Sequence, residues 1–209
     1  MRITVFGATG ATGSRVVAEA VTRGHQVTAV ARSAARFPDL HPGATHRAAD
    51  ATDPAAIAAL AAETDLVITA TRPRPGREPE LVQVTEALFT GLRERGVRLL
   101  LVGGSASLRV ATGELLVDTA EFPTHLRPIA LACKDQHAVA EASTGVDWTY
   151  LSPPMLLEPG VRTGRYRVGK DDLLINEQGE SAISMEDFAV ALLDEAEQPR
   201  HRGRFTVAY

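Results

Sequence analysis

A doubly wound α/β fold, with a mainly parallel sheet and a small C-terminal lobe, is the architecture this sequence predicts. Two observations carry it. Strand-like and helix-like stretches alternate along most of the chain, and the first strand feeds directly into a glycine turn and an apolar-periodic helix. Size agrees, because 209 residues suit one domain with its own core.

The elements follow in order. Arg2–Phe6 reads as a buried strand, and a helix runs from about Thr12 to Arg23, closed by Gly24. His25–Ala31 is the second strand and Thr45–Ala49 a short third. Asp53 stands as N-cap before Pro54 at the first position of the next helix. Asp65–Ala70 is strand four, and the proline-rich loop after it, residues 71–77, cannot be helical. A helix over Glu80–Arg95 ends at Gly96, and Val97–Val102, apolar but for Arg98, is the fifth strand. Leu108–Pro128 reads as an extended loop with short helical pieces, Ala130–Ser143 as a helix, and Asp147–Leu151 as strand six. Arg165–Val168 and Leu173–Asn176 are expected as short strands of a sub-lobe. Ser184-Met185-Glu186-Asp187 has the form of a capping box with Asp in place of Glu. The helix it opens continues to about Glu197, and Phe205–Ala208 is the last strand. The whole is one domain, 1–209, with residues 155–183 contributing the small lobe.

Gly7-Ala8-Thr9-Gly10-Ala11-Thr12-Gly13 is the informative motif. A glycine turn between strand and helix lets backbone approach a diphosphate, and the helix N-terminus supplies free N–H groups with partial positive charge. The site positions expected here are Gly7, Thr9, Gly10, Ala11, Thr12 and Gly13. The end of strand two selects the cofactor: an acid there holds a ribose 2′-OH, a basic residue a 2′-phosphate. This chain places Arg32 and Ser33 there, with Arg36 a turn later and no acid before Asp39. That pattern favours NADP, with NAD as the other candidate. Asp50 and Ala51 fall where the adenine edge belongs. Ala70, Thr71 and Arg72 end strand four at the crevice, and Gly103 through Ser105 end strand five. Pro153 and Met155, after strand six, are expected beside the nicotinamide, with Leu108–Phe122 completing an apolar acceptor pocket.

The bulk composition bounds the partners. Apolar content of 44% and charged content of 23% fit a globular protein, and a net charge of −4 argues against nucleic acid. No apolar run reaches the ~18 residues that cross a bilayer, and no signal peptide is expected, so the placement is cytoplasmic, without membrane attachment. The single Cys133 excludes an internal disulfide and suits a reducing compartment. The histidines lack metal-ligand spacing, so no metal site is proposed. Helices flanking such a sheet often pair between copies, which leaves a homodimer open.

The glycine opening, the Val102-Gly103-Gly104-Ser105 stretch and Trp148-Thr149-Tyr150-Leu151-Ser152-Pro153-Pro154 resemble the atypical short-chain dehydrogenase/reductase superfamily. Within it the chain is most similar to the NADH-flavin reductase group, akin to flavin/biliverdin-IXβ reductase and to NmrA-like NAD(P)-binding proteins. Gly164–Arg167 and Gly179–Ser184 extend the likeness over nearly the whole length. The resemblance implies nicotinamide binding and carries Gly7, Gly10, Gly13, Arg32 and Ser105 as site positions.

One departure redirects the chemistry. The superfamily's usual Tyr-x-x-x-Lys pair sits on the helix after strand five, yet Ala130 stands four residues before Lys134 and Cys133 four before His137. Without that phenol, hydride transfer to an acceptor needing little acid catalysis is the expected reaction: a flavin, a quinone or a similar planar molecule. Ser105 is the candidate to orient it, and His137 or Lys134 the candidate proton source. The competing readings are a non-catalytic NADP(H)-binding redox sensor and an epimerase, dehydratase or ketoreductase of a specialised metabolite.

Overall fold

The computed structural model describes residues 1–209. Ten strands and five α-helices follow in the order β1 (Arg2–Phe6), α1 (Ala11–Thr22), β2 (Gln26–Ala31), β3 (Thr45–Ala48), α2 (Pro54–Ala61), β4 (Leu66–Thr69), α3 (Glu80–Leu92), β5 (Arg98–Val102), α4 (Arg127–Ala142), β6 (Trp148–Ser152), β7 (Leu156–Glu158), β8 (Arg167–Gly169), β9 (Ala182–Ser184), α5 (Met185–Glu197) and β10 (Gly203–Ala208). Eight strands form one sheet in the order β3-β2-β1-β4-β5-β6-β10-β8. Its first seven strands are parallel, and only β8 runs antiparallel, along the outer side of β10. The order 3-2-1-4-5-6 is that of a Rossmann sheet.

Apolar strands in the middle of such a sheet must be covered on both faces. Leu99, Leu100 and Leu101 of β5 are wholly buried, and alternate residues feed two cores. Helices α1 and α5 cover one face, where Val16, Phe188 and Leu192 meet Val5, Ile68 and Leu100. Helices α2, α3 and α4 cover the other, where Ile57, Leu88 and Phe89 meet Val67, Leu99 and Tyr150. Burial of each such side chain is worth about 1.5–3 kcal/mol.

Local signals account for the helix ends. Asp53 Oδ1 accepts from Ala55 N at 2.9 Å, with Pro54 at the first helical position. At the C-terminus of α1, His25 N donates to Ala20 O and Gly24 N to Val21 O, the Schellman arrangement. Ser184 caps α5 through its Oγ, which accepts from Asp187 N at 3.0 Å. The reciprocal half of the capping box is absent. The Asp187 carboxylate turns instead to Thr163 N at 2.8 Å and Gly164 N at 2.7 Å, and Tyr209 Oη donates to it at 2.7 Å. The acid of the box thus fastens the 160–165 segment and the C-terminal residue onto α5.

The small lobe differs from expectation in which segments pair. Leu173–Asn176 is not a strand; Asp172 makes only an isolated bridge with Arg109. The lobe's own ladder is β7 with β9, paired in parallel, while β8 joins the main sheet. Two-residue patterning in so short a segment does not reveal which neighbour it will meet. Residues 116–118 and 124–126 form short 3₁₀ turns within the expected loop.

Candidate functional site

Strand order reverses between β1 and β4, and the crevice lies at their carboxyl ends. Gly7 follows β1 with φ of +78°. A Cβ on it would stand 2.5 Å from the Ala70 carbonyl oxygen and 2.8 Å from Thr71 N, so the glycine turn rests directly on the end of β4. Gly13 is buried in the first turn of α1, where a Cβ would overlap the Gly7 carbonyl. Gly10 N donates to Gly7 O at 2.9 Å and closes the turn.

Helix α1 begins at Gly10 with no side-chain cap and no acid in its first turn. Its first-turn N–H groups therefore keep their attraction for an external anion, reinforced by the helix dipole. Thr9 and Thr12 are half-buried beside the turn, and Ala11 is exposed. A bare turn, a close approach to β4 and an uncapped helix end fit a dinucleotide pyrophosphate.

On the β2 side, Ser33 caps the 34–39 turn by accepting from Ala35 N, and Arg36 pairs with Asp39 at 2.5 Å. Both are engaged by their own turn. Arg32 is not: its Nη2 reaches Glu80 Oε2 at 3.4 Å, across from β2 to the first residue of α3. Asp50 Oδ1 accepts from Thr52 N and from Thr52 Oγ1, each at 2.9 Å, while Ala51 is buried behind it. The Thr52 N–H holds the Asp50 carboxyl below its usual range, against the opposing pull of burial, and the Thr52 hydroxyl, Arg32 and Arg77 reinforce it.

Across the crevice, Ala70 and Thr71 are half-buried and Arg72 is exposed. Thr71 Oγ1 lies 3.0 Å from Thr69 Oγ1. Gly103 N donates to Leu151 O at 3.0 Å, joining the ends of β5 and β6. Ser105 is half-buried in the loop that follows. Pro153 is buried, and Met155 is 53% exposed at the rim.

Helix α4 separates the two proton-source candidates. Lys134 is half-buried one turn after the buried Ala130. His137 lies a further turn along, with its ring 4.8 Å from Tyr150 and 6.4 Å from Trp148, both edge to face. Burial lowers its pKa, so the ring sits neutral in an aromatic wall. Cys133 contacts Gly104, and burial pushes its thiol up to about 11.

Two supporting residues are not among the site positions that the sequence predicts. Tyr150 Oη accepts from Gly104 N at 3.2 Å and donates to the Cys133 carbonyl at 2.9 Å. Arg204, on β10, donates to the Ser107 carbonyl at 3.1 Å, to Ser107 Oγ at 2.8 Å and to Asp171 at 2.7 Å. Together they pin the loop carrying Ser105 from below and from the side. Their partners are distant in sequence, and nothing local announces them.

The comparisons match this geometry. The NAD(P)H-binding family model matches residues 7–199. YwnB of Bacillus subtilis (strain 168), an uncharacterized protein, is 37% identical over 216 residues, covering 99% of this chain and 98% of its own. A crystal structure from Burkholderia pseudomallei, of a protein provisionally called exported, superposes with a TM-score of 0.91 at 44% identity over the full length of both chains. SP1627 of Streptococcus pneumoniae TIGR4, provisionally named an NADH-flavin reductase, superposes with a TM-score of 0.89 at 30% identity over 100% of this chain and 99% of that one. No helix is long and apolar enough to cross a membrane. Over residues 7–199, from its glycine turn through α5, the chain belongs to the NAD(P)H-binding family.

Proposed function

We propose that the chain is an NADPH-dependent reductase that passes hydride to a flavin, a quinone or a similar planar acceptor. The observation that carries this reading is the combination on one sheet edge of a pyrophosphate cradle with an acid-poor acceptor side. Ala130 stands where the usual tyrosine would precede Lys134, and Tyr150, the tyrosine nearest that helix, is wholly buried and bonded to main chain. The provisional name of SP1627 supports the acceptor class.

When bound, a reduced nicotinamide supplies the hydride. The chain's own contribution is positioning. Gly7, Gly10 and Gly13 admit the pyrophosphate, and the α1 N-terminus opposes its charge. Arg32 meets the 2′-phosphate. Ser105 orients the acceptor by hydrogen bonding, while Arg72 lends positive charge to an acceptor that becomes anionic on reduction. Lys134, or water, returns the proton; His137 serves as wall. A single cysteine, and so no internal disulfide, suits the reducing cytoplasm.

The test is direct: the pure protein is mixed with NADPH and FMN, or with a benzoquinone, and loss of nicotinamide absorbance is followed. Turnover that falls at least tenfold in Ser105→Ala is expected. Tight NADPH binding without turnover of any such acceptor would contradict the reductase reading and leave a nucleotide-sensing protein.

A further inference from the structure

Glu80 occupies an unusual position at the adenosine end of the crevice. It is the first residue of α3, only 16% exposed, and receives two guanidinium groups on its two oxygens. Arg32, from the end of β2, lies 3.4 Å from Oε2. Arg77, from the β4–α3 loop, pairs with Oε1. Both arginines are largely exposed, at 60% and 63%, so the carboxylate is the better buried partner of the three. The same two arginines also act through space on Asp50, which they hold below its usual range with Thr52. The Glu80 carboxylate thus offsets part of the positive charge that the two guanidinium groups bring to this edge.

A free arginine pair here would make a strong phosphate site, because guanidinium forks bind phosphate oxygens in pairs. Glu80 already satisfies the fork. An incoming 2′-phosphate must displace it or bind beside it and meet its repulsion. A ribose 2′-OH has no such conflict, since a carboxylate accepts from it.

We infer that Glu80 is a specificity-determining residue, an internal anion that competes with the 2′-phosphate for Arg32 and Arg77 and so restrains discrimination between NADP and NAD. The inference rests on the proposed cofactor reading, and it adds Arg77 as the second arm of the clasp. A carboxylate from α3, rather than an acid at the end of β2, then sets the balance.

Calorimetric titration with 2′,5′-ADP and with 5′-AMP reads the 2′-phosphate alone, without turnover. The measured quantity is the ratio of their affinities in the wild type, Glu80→Gln, Arg77→Ala and Arg32→Ala, with thermal unfolding as the folding control. Glu80→Gln is expected to raise the preference for 2′,5′-ADP about fivefold, since a competing ion pair of this exposure is worth about 1 kcal/mol. Arg77→Ala should lower it by a similar factor, and both changes should shrink at high salt. An unchanged ratio in Glu80→Gln or in Arg77→Ala overturns the inference. If the wild type shows no preference and Arg32→Ala changes nothing, the NADP reading fails. Should Glu80→Gln then create a preference, the inference stands, and should it not, the inference falls too. Failure of both ligands to bind any folded variant overturns both readings.

Discussion

The Tyr150 ring occupies the space that a side chain on Gly103 would need, so the start of the loop that carries Ser105 lies directly on a buried phenol. Tyr150 is wholly buried, and its hydroxyl bridges Gly104 N and the Cys133 carbonyl. Gly103→Ala must therefore push the ring or the loop, and an unfolding penalty of about 1–3 kcal/mol in urea is expected. Tyr150→Phe keeps the packing but removes the hydroxyl's bonds to Gly104 N, the Cys133 carbonyl and Gln136 Oε1, for a loss of about 1–3 kcal/mol. Stability equal to wild type in both variants would show that the loop does not rest on this ring.

The thiol of Cys133 should be inert in the native protein. Burial pushes its pKa to about 11, and the thiolate is the reactive form. A disulfide reagent at pH 8 is expected to leave the folded chain unlabelled for hours and to titrate one thiol once denaturant is added. Rapid labelling of the native protein would mean that the α4–loop contact opens readily.

Acid should weaken the fold in two stages. His137 is held below its ordinary value by burial, so the unfolded state binds its proton first, and stability falls as pH drops below about 6.5. His137→Phe should remove that first decline. The carboxylates come next. Burial alone would raise Glu195 and Asp187, yet Arg98 and His201 on the first, and Thr163, Tyr209 and Gly164 on the second, bring both below their usual values. Their stabilisation is present above about pH 4 and is lost as pH falls through the folded values. Urea midpoints measured from pH 8 to pH 3 check both stages.

Asp187 gathers the 160–165 segment, the last residue and the α5 cap at one carboxylate. Asp187→Ala removes the acceptor for Thr163 N, Gly164 N and Tyr209 Oη at once. A loss of about 3 kcal/mol is expected, with faster proteolytic cleavage between residues 159 and 166 than in the wild type. Equal cleavage rates would show that the other ties of the segment, Arg162 to Glu19, Gly160 N to Glu186 and Ser184 Oγ to the Val161 carbonyl, hold it without Asp187.

Much of this architecture is legible from residue order because its signals are local. The Gly7–Gly13 turn, the Asp53-Pro54 helix start and the apolar run of β5 each state their structure within a few residues. Arg32 reads as a residue of the cofactor edge by the same logic, from its place at the end of β2. Its partner does not, since Glu80 lies 48 positions away and only the turn from β4 into α3 brings it near. Arg77, in the loop of residues 71–77, carries no local sign of its pairing with Glu80 for the same reason. Asp187 looks like half of a capping box, yet tertiary contacts recruit it elsewhere. His137 looks like an acid-base residue until Trp148 and Tyr150 close around it.

The central claim is that the glycine turn and Arg32 form a seat for NADPH. Thermal unfolding of the wild-type chain with NADPH or NADH at equal concentration tests it most directly. A ligand at about one hundred times its Kd adds about 2.7 kcal/mol, which is about 5–10 °C for a chain of this size. NADPH should raise the midpoint by that order and NADH by less, with the difference lost in Arg32→Ala. Equal protection by NADH, or none by either nucleotide, would contradict the account.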